Sequence, residues 1–427
     1  MRVARRRNSE VRDRVATARS RACDVIMRVL YITQAVFGNP GAENTHATEV
    51  IRALVKAGVR VTVAHPGRAS VRALGAEERT PPPLFAWPRR IWFQIWLFHV
   101  LRRLRRDVDA IYLRQAALMI APALLRRRLG IPIVGEFNTC FATRTKARGN
   151  FLLLALLRAI ERKSLRAYDR VIVISSALKA ILTDTYATPP RKIAVVHNGT
   201  NLDLMRPLAK LDCRRALHLP DDAFVVAFVG TLHPWQGISP LIQAVAELSA
   251  LKGRPVHLLI AGTSRDEPIY AAAASRLGIA DRVHFLGVVS HERVPHIISA
   301  ADVAVAPGDP LQSADYRIRS PLKVYEYLAC GRPVIAGELE SIRTLFSGDP
   351  VGFLVKPGSV PELVAAMEKL RQEPHLSEEM GRNARRLADR LLSWTTVTRE
   401  LLTVFRSVLP EVVTPSASAL TMPASSD

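Results

Sequence analysis

The chain has 427 residues, with 60 Lys and Arg against 38 Asp and Glu and a formal net charge of +22. That length is too great for one compact core and suits two domains, while 48% hydrophobic and 23% charged residues exclude a wholly disordered chain. Dividing at residue 205 leaves 36 basic and 14 acidic residues in front and 24 of each behind, so one half carries all the excess and is expected to meet lipid head groups, a phosphorylated substrate or nucleic acid.

Residues 1–26 form a basic N-terminal extension without the apolar stretch of a secretory signal. Because Met27-Arg28-Val29-Leu30-Tyr31-Ile32 opens the first strand, a natural start at Met27 is the expectation. Short β-branched runs then alternate with helical stretches, the pattern of parallel strands joined by crossover helices. The first half predicts strands at Val29–Thr33, Val59–Ala64, Ala110–Leu113, Ile131–Gly135, Arg170–Ile174 and Ile193–Val196, with a helix from Glu43 to Lys56 stopped at Gly58. Gly38-Asn39-Pro40-Gly41 lies between the first strand and that helix, where glycines let backbone approach a ligand, although the same residues also make a plain turn. Glu136-Phe137-Asn138 is expected just after a strand and facing a cleft.

Residues 89–106 have basic ends and an aromatic middle. They suit a helix in a membrane interface, aided by Arg126-Arg127-Arg128, and suit equally a buried helix with solvated arginine ends. No apolar run approaches the ~20 residues that would span a bilayer. The four cysteines are far apart, with no Cys-x-x-Cys pair, which argues for a reducing cytoplasm and against a disulfide framework or structural zinc.

An irregular segment, 197–222, separates the halves, and the second half predicts strands at Phe224–Val229, His257–Ala261, Val283–Phe285, Val303–Ala306 and Pro333–Ala336. Its helices begin near Ser239, Asp266, His291, Pro321 and Pro361. The division is therefore 1–26, 27–205, 206–408 and a tail, 409–427, rich in Ser, Thr, Pro and Ala and expected to be disordered. Two doubly wound α/β sheets follow, with a ligand site at the carboxyl ends of the strands in the cleft between them.

Ser320-Pro321-Leu322-Lys323-Val324-Tyr325-Glu326 opens a short helix that Gly331 ends and Pro333 follows. A helix N-terminus beside a lysine is an anion site, and Glu326 can accept from the two hydroxyls of a ribose. The plain alternative is a first-turn carboxylate serving the helix dipole beside a solvated lysine. Gly230-Thr231-Leu232-His233-Pro234-Trp235-Gln236-Gly237 also follows a strand and opens a helix, which suits backbone contact with phosphate or only a tight turn.

The stretch from Ser320 to Ile335 closely resembles the C-terminal motif of family 4 glycosyltransferases with the GT-B fold, a glutamate before a small-residue helix and then Gly-x-Pro-Val. The 230–237 loop resembles that family's diphosphate loop, Val195-Val196-His197-Asn198-Gly199 its hinge, and Gly38–Gly41 its front glycine loop. The resemblance implies a two-domain GT-B enzyme that moves a sugar from a nucleotide diphosphate sugar to an acceptor, with retention, while the basic front half alone suggests that the sugar acceptor is a lipid-linked glycan. It implies donor binding by Gly230, Thr231, Gln236, Gly237, Ser320, Pro321, Leu322, Lys323 and Glu326, with Lys323 on the diphosphate and Glu326 on the ribose. Gly38, Gly41, Glu136 and Asn138 are the acceptor-side candidates, and Lys323, Glu326 and Glu136 the catalytic ones. His46, His233 and His291 read as structural or solvent-facing.

The chain departs from the family at Ile318, where a first glutamate is common, and at Thr231 and Gln236, where Arg and Lys are common. The resemblance implies neither metal nor cofactor. Expected partners include an anionic membrane surface through residues 89–106 on the inner face of the plasma membrane, and no nucleic acid, because no nucleic-acid module is recognisable. Cell-envelope or exopolysaccharide synthesis is the expected setting. A GT-B sugar-nucleotide epimerase, which needs no acceptor, and a non-catalytic basic binding protein stay open as alternatives.

Overall fold

The computed structural model describes residues 27–38, 41–67, 69–82, 89–140, 151–309 and 316–409. The expected basic extension 1–26, residues Asn39 and Pro40 of the front glycine loop, and the tail from 410 onward lie outside these. Strands β1 (Arg28–Ile32), β2 (Arg60–Ala64), β3 (Glu77–Arg79), β4 (Ala110–Arg114), β5 (Ile133–Phe137), β6 (Arg170–Val173) and β7 (Ile193–Val195) form a parallel sheet ordered 3-2-1-4-5-6-7. Strands β8 (Phe224–Val229), β9 (Val256–Ala261), β10 (Val283–Phe285), β11 (Val303–Ala306), β12 (Val334–Gly337) and β13 (Gly352–Val355) form a second parallel sheet ordered 10-9-8-11-12-13. In each sheet the order reverses once, between β1 and β4 and between β8 and β11, and loops leaving these strands open a crevice.

Alternation along the strands explains why both sheets carry helices on both faces. Phe224, Val226 and Phe228 of β8 join one buried cluster, whereas Val225, Ala227 and Val229 join another. In β1, Leu30 and Ile32 face one layer while Val29 and Tyr31 face the other. A strand apolar on both faces is stable only when covered on both sides, which crossover helices achieve.

Two strands went unread in the sequence, β3 and β13. The first is the charged sheet edge Glu77-Glu78-Arg79, and the second is the short Gly352-Phe353-Leu354-Val355, of which only Val355 is fully buried. The strand expected at Ile131–Gly135 is displaced to Ile133–Phe137, which corrects the placement of Glu136 and Phe137: both lie within β5 and are buried. The helix whose sequence suited a membrane interface and a buried position equally spans Arg89–Leu104 and turns Phe93, Leu97 and Leu101 into the front core, so it packs as a core helix along that face. Trp92 ties its start to the loop by donating from Nε1 to the Pro82 carbonyl at 2.9 Å.

The chain end returns to the front. Helix Trp394–Arg406 lays Trp394, Val397, Leu401 and Phe405 into the same cluster as Val29, Ile51 and Leu54, and a parallel bridge joins Ser393 to Thr200. Ile318, from the second half, is likewise buried in the front cluster, where Ser175 Oγ donates to its carbonyl at 3.1 Å. Among the described residues no helix is long and apolar enough to cross a membrane.

Candidate donor and acceptor sites

The loops leaving β8, β9 and β11 meet helix Leu322–Ala329 at the carboxyl end of the second sheet. Gly230 follows β8 with φ 143°, and its amide donates to the Ala261 carbonyl at 2.8 Å. A Cβ there would stand 2.6 Å from Lys323 Nζ, so only glycine leaves the ammonium its place. Gly237, at φ 76°, closes a tight turn at 234–236 and starts helix Ile238–Ala250 without a side-chain cap. That helix and Leu322–Ala329 both start without a side-chain cap, which leaves first-turn amides available to an anion.

Lys323 Nζ donates to Gln236 Oε1 at 3.1 Å and stands 3.8 Å from the centre of the Phe228 ring. Loss of water pushes its ammonium down to about 7, with Glu326 opposing the fall and Arg319 adding to it. Gln236, one of the departures from the family pattern, is thus the partner that orients the lysine. Thr231 is exposed beside them. Ser320 Oγ shares a hydrogen bond with Tyr325 OH at 2.8 Å, and Pro321 and Leu322 are half-buried at the helix start. One turn beyond Lys323, Glu326 Oε1 lies 3.0 Å from His291 Nε2, and that hydrogen bond holds the His291 imidazolium above its usual range.

Sequence reasoning set His291 aside as a lone histidine, and it missed Arg319 and Trp235. The Arg319 guanidinium lies 5.0 Å from the Trp235 ring centre, and Trp235 stacks on His233 at 4.2 Å. Spacing gave no signal for any of these, because the three come from different loops. Trp235 Nε1 is a buried donor with no hydrogen-bond partner. The His233 imidazole, losing water in this stack, is held below its usual range.

In the front unit, Gly38 at φ 89° and Gly41 at φ 142° border the start of helix Ala42–Lys56. Glu136 is not a group facing an open cleft: its residue is 1% exposed. Tyr112 OH donates to its Oε2 at 2.5 Å and Asn138 Nδ2 to its Oε1 at 2.5 Å. His46 Nε2 lies 2.7 Å from the same Oε1, but off the angle of a hydrogen bond. Burial alone would raise this carboxyl, yet His46, Arg114 and the Tyr112 hydroxyl outweigh it and hold it at about 2. A carboxylate so acidic is a poor base at neutral pH, so the arrangement suits Glu136 to fixing Asn138 and His46. His46 also meets Trp394 of the returning helix edge-on, at 5.6 Å.

The structure thus gathers Gly230, Gln236, Gly237, Lys323 and Glu326 in the second unit, and Glu136 and Asn138 in the first. Ile318 supplies no carboxylate to either, being packed in the front core. Among the described residues no group of three or more His, Cys, Asp or Glu side chains could hold a metal ion. Cys213 and Cys330 are buried and form no disulfide, and the buried Cys140 Sγ donates to Glu161 Oε2 at 3.4 Å.

The sequence family described as Glycosyl transferases group 1 matches residues 210–387, and that described as Glycosyltransferase Family 4 matches residues 43–204. A D-inositol 3-phosphate glycosyltransferase from Gordonia bronchialis is 31% identical over 281 residues, 64% of this chain and 60% of that protein. An alpha-D-kanosaminyltransferase from Streptomyces kanamyceticus is 24% identical over 74% of this chain and 81% of that protein. The match to the first of these relatives therefore spans less than two thirds of its length. Among solved structures, Anabaena Alr3699/HepE in complex with UDP-glucose superposes with a TM-score of 0.70 at 19% identity, covering 89% of this chain and 100% of the other. Sucrose-phosphate synthase from Thermosynechococcus elongatus gives 0.69 at 21% identity, covering 89% and 98%. Both share the two-unit GT-B fold with this chain.

Proposed function

Because the chain belongs to glycosyltransferase family 4, we propose that it moves a sugar from a nucleotide diphosphate sugar to a sugar or lipid-linked glycan acceptor, with retention at the anomeric carbon. The observation that carries this reading is Lys323, set at an uncapped helix start and 3.1 Å from Gln236 of the glycine loop. Charge that develops on a leaving diphosphate would meet the Lys323 ammonium and the amides of two helix N-termini, which is the main lever when an anionic group departs. An incoming diphosphate would also raise the lysine from about 7 and complete its protonation at neutral pH. Glu326, with one oxygen held by His291, would take the ribose hydroxyls through the other.

On this reading residues 27–205 are the acceptor-side unit and 206–408 the nucleotide-sugar unit. Gly38, Gly41 and Asn138 border the acceptor, with Glu136 as a positioning residue. Thermal shift with UDP, GDP, ADP, TDP and their sugars tests the donor assignment. One nucleotide is expected to raise the melting temperature of the wild type and not of Glu326→Ala, and turnover should fall roughly 10²-fold or more in Lys323→Ala. Normal turnover in Lys323→Ala, or no shift with any nucleotide, would remove the reading.

A cytoplasmic, peripheral place on the inner face of a membrane, with envelope or exopolysaccharide synthesis as its setting, is the finer part of the proposal. The outward residues of Arg89–Leu104 include Ile91 and Ile95, and the neighbouring helices Ala121–Leu129 and Phe151–Ala167 expose Leu124, Leu152 and Leu156. Arg102, Arg103, Arg127 and Arg128 are exposed on these elements, a mixture suited to an anionic leaflet. Co-sedimentation with vesicles containing phosphatidylglycerol, lost in the double variant Leu152→Ser, Leu156→Ser, is the expected result. Equal binding by that variant would move the contact elsewhere.

A further inference from the structure

We propose that a second anion site lies at the opposite end of the donor helix, in a cavity built for the phosphate of a small phosphorylated molecule. The cavity measures about 530 Å³ and is lined by Lys210, Arg254, Asp302, Arg332 and Arg386 among others. Arg332 follows the C-terminal end of Leu322–Ala329, whereas Lys323 and Glu326 stand near its start. The two sites therefore share a helix and no side chain.

Positive charge here exceeds what the protein itself neutralises. Asp302, 5% exposed, is shared among three cations: Lys210, Arg214 at 2.7 Å and Arg254 at 3.6 Å. Arg385 is answered by Asp389 at 2.8 Å, but among the described residues Arg386 has only the Asn383 amide oxygen, at 2.5 Å. Arg332 gives one terminal nitrogen to the Ser299 carbonyl at 2.6 Å, and its Nε is a buried donor with no partner. Burial pushes Lys210 down from the usual lysine range, and Arg332 is among the charges that add to this repulsion. A phosphate in the cavity would relieve this excess of positive charge, taking charge-assisted hydrogen bonds from the Arg332 guanidinium, Lys210 and Arg386. The volume exceeds what bare phosphate fills and admits a small organic group such as a hexose.

The test is a titration of the full chain carrying Lys323→Met, so that phosphate bound at the donor loop is not counted and the result does not depend on donor turnover. Inorganic phosphate and a hexose 6-phosphate are compared with chloride at equal ionic strength, by melting temperature and by calorimetry. Stabilisation by phosphate beyond chloride is expected, with apparent affinity reduced about tenfold or more by Arg332→Gln, the loss of one charge-assisted bond. Arg386→Gln, an exposed position, should weaken binding in the same direction while melting normally without phosphate. A larger effect of the hexose phosphate assigns the site to a phosphorylated metabolite, and equal effects assign it to free phosphate. No stabilisation beyond chloride, or unchanged affinity in both variants, overturns the proposal. Should Arg332→Gln fail to fold, the Arg386→Gln titration decides alone.

Discussion

Lys323 and Ile318 both owe their properties to what water can reach. A lysine lowered from 10.5 to about 7 in the fold stays protonated in the unfolded chain at pH 8 or 9, so the unfolded state binds more protons there. Its cost to stability is thus full below pH 7 and fades as pH climbs toward 10.5. Lys323→Met is expected to raise the melting temperature at pH 7 by about 2 °C or more, with the gain shrinking by pH 10. Melting curves of the two proteins from pH 6 to 10 check this, and a gain that grows with pH would contradict it. Nucleotide affinity should move oppositely, falling above pH 7 in the wild type and staying flat in the variant. Ile318 stands where relatives often carry a glutamate, yet here it is 3% exposed in the front apolar cluster. Ile318→Glu would bury an unpaired carboxylate and should cost about 3 kcal/mol or more, against about 1 kcal/mol for Ile318→Val. Denaturant melts measure both, and wild-type stability in the Ile318→Glu variant would show that this position can turn toward the cleft.

Among the elements, the β8 loop and the helix that follows Pro321 must be set together, and Gly230 is the point where they touch. Gly230→Ala combines a strained φ of 143° with a methyl 2.6 Å from Lys323 Nζ. The lysine should be displaced and nucleotide affinity should fall by about tenfold or more, with the chain still folded by circular dichroism. Retained affinity would detach the loop from the site. How well elements could be read follows from their burial. All six residues of β8 are buried and apolar, and its bounds are as legible as any in the chain. The edge strand β3 offers Glu77, Glu78 and Arg79, which are chosen for solvent and carry no strand signal. At β5 the polar Glu136 reads as a strand end, but the structure compensates it inside the sheet with its neighbour Asn138 and with Tyr112 and His46, two partners from other elements that no local pattern reveals. The same limit hid His291 and Trp235, whereas Lys323 and Glu326 were legible because one short helix holds both.

At the scale of the whole molecule, the front unit is unfinished without the end of the chain. Its outer cluster needs Trp394, Leu401, Leu402 and Phe405, which pack on Val29, Ile51 and Val61 although hundreds of positions separate them. Phe405 is fully buried and meets Tyr112 edge-on at 5.5 Å, and Tyr112 in turn donates to Glu136. The returning helix thus supports both the sheet and the carboxylate that orients Asn138. Phe405→Ala removes a large ring from that layer and should cost about 3–5 kcal/mol. Because the helix belongs in sequence to the second half and in packing to the first, its loss should loosen the front unit first. Calorimetry is expected to show one transition for the wild type and a separate, earlier one for Phe405→Ala, with the nucleotide-stabilised transition shifted less. If the variant melts in a single step at the wild-type temperature, the helix is an ornament on the front sheet rather than part of its core.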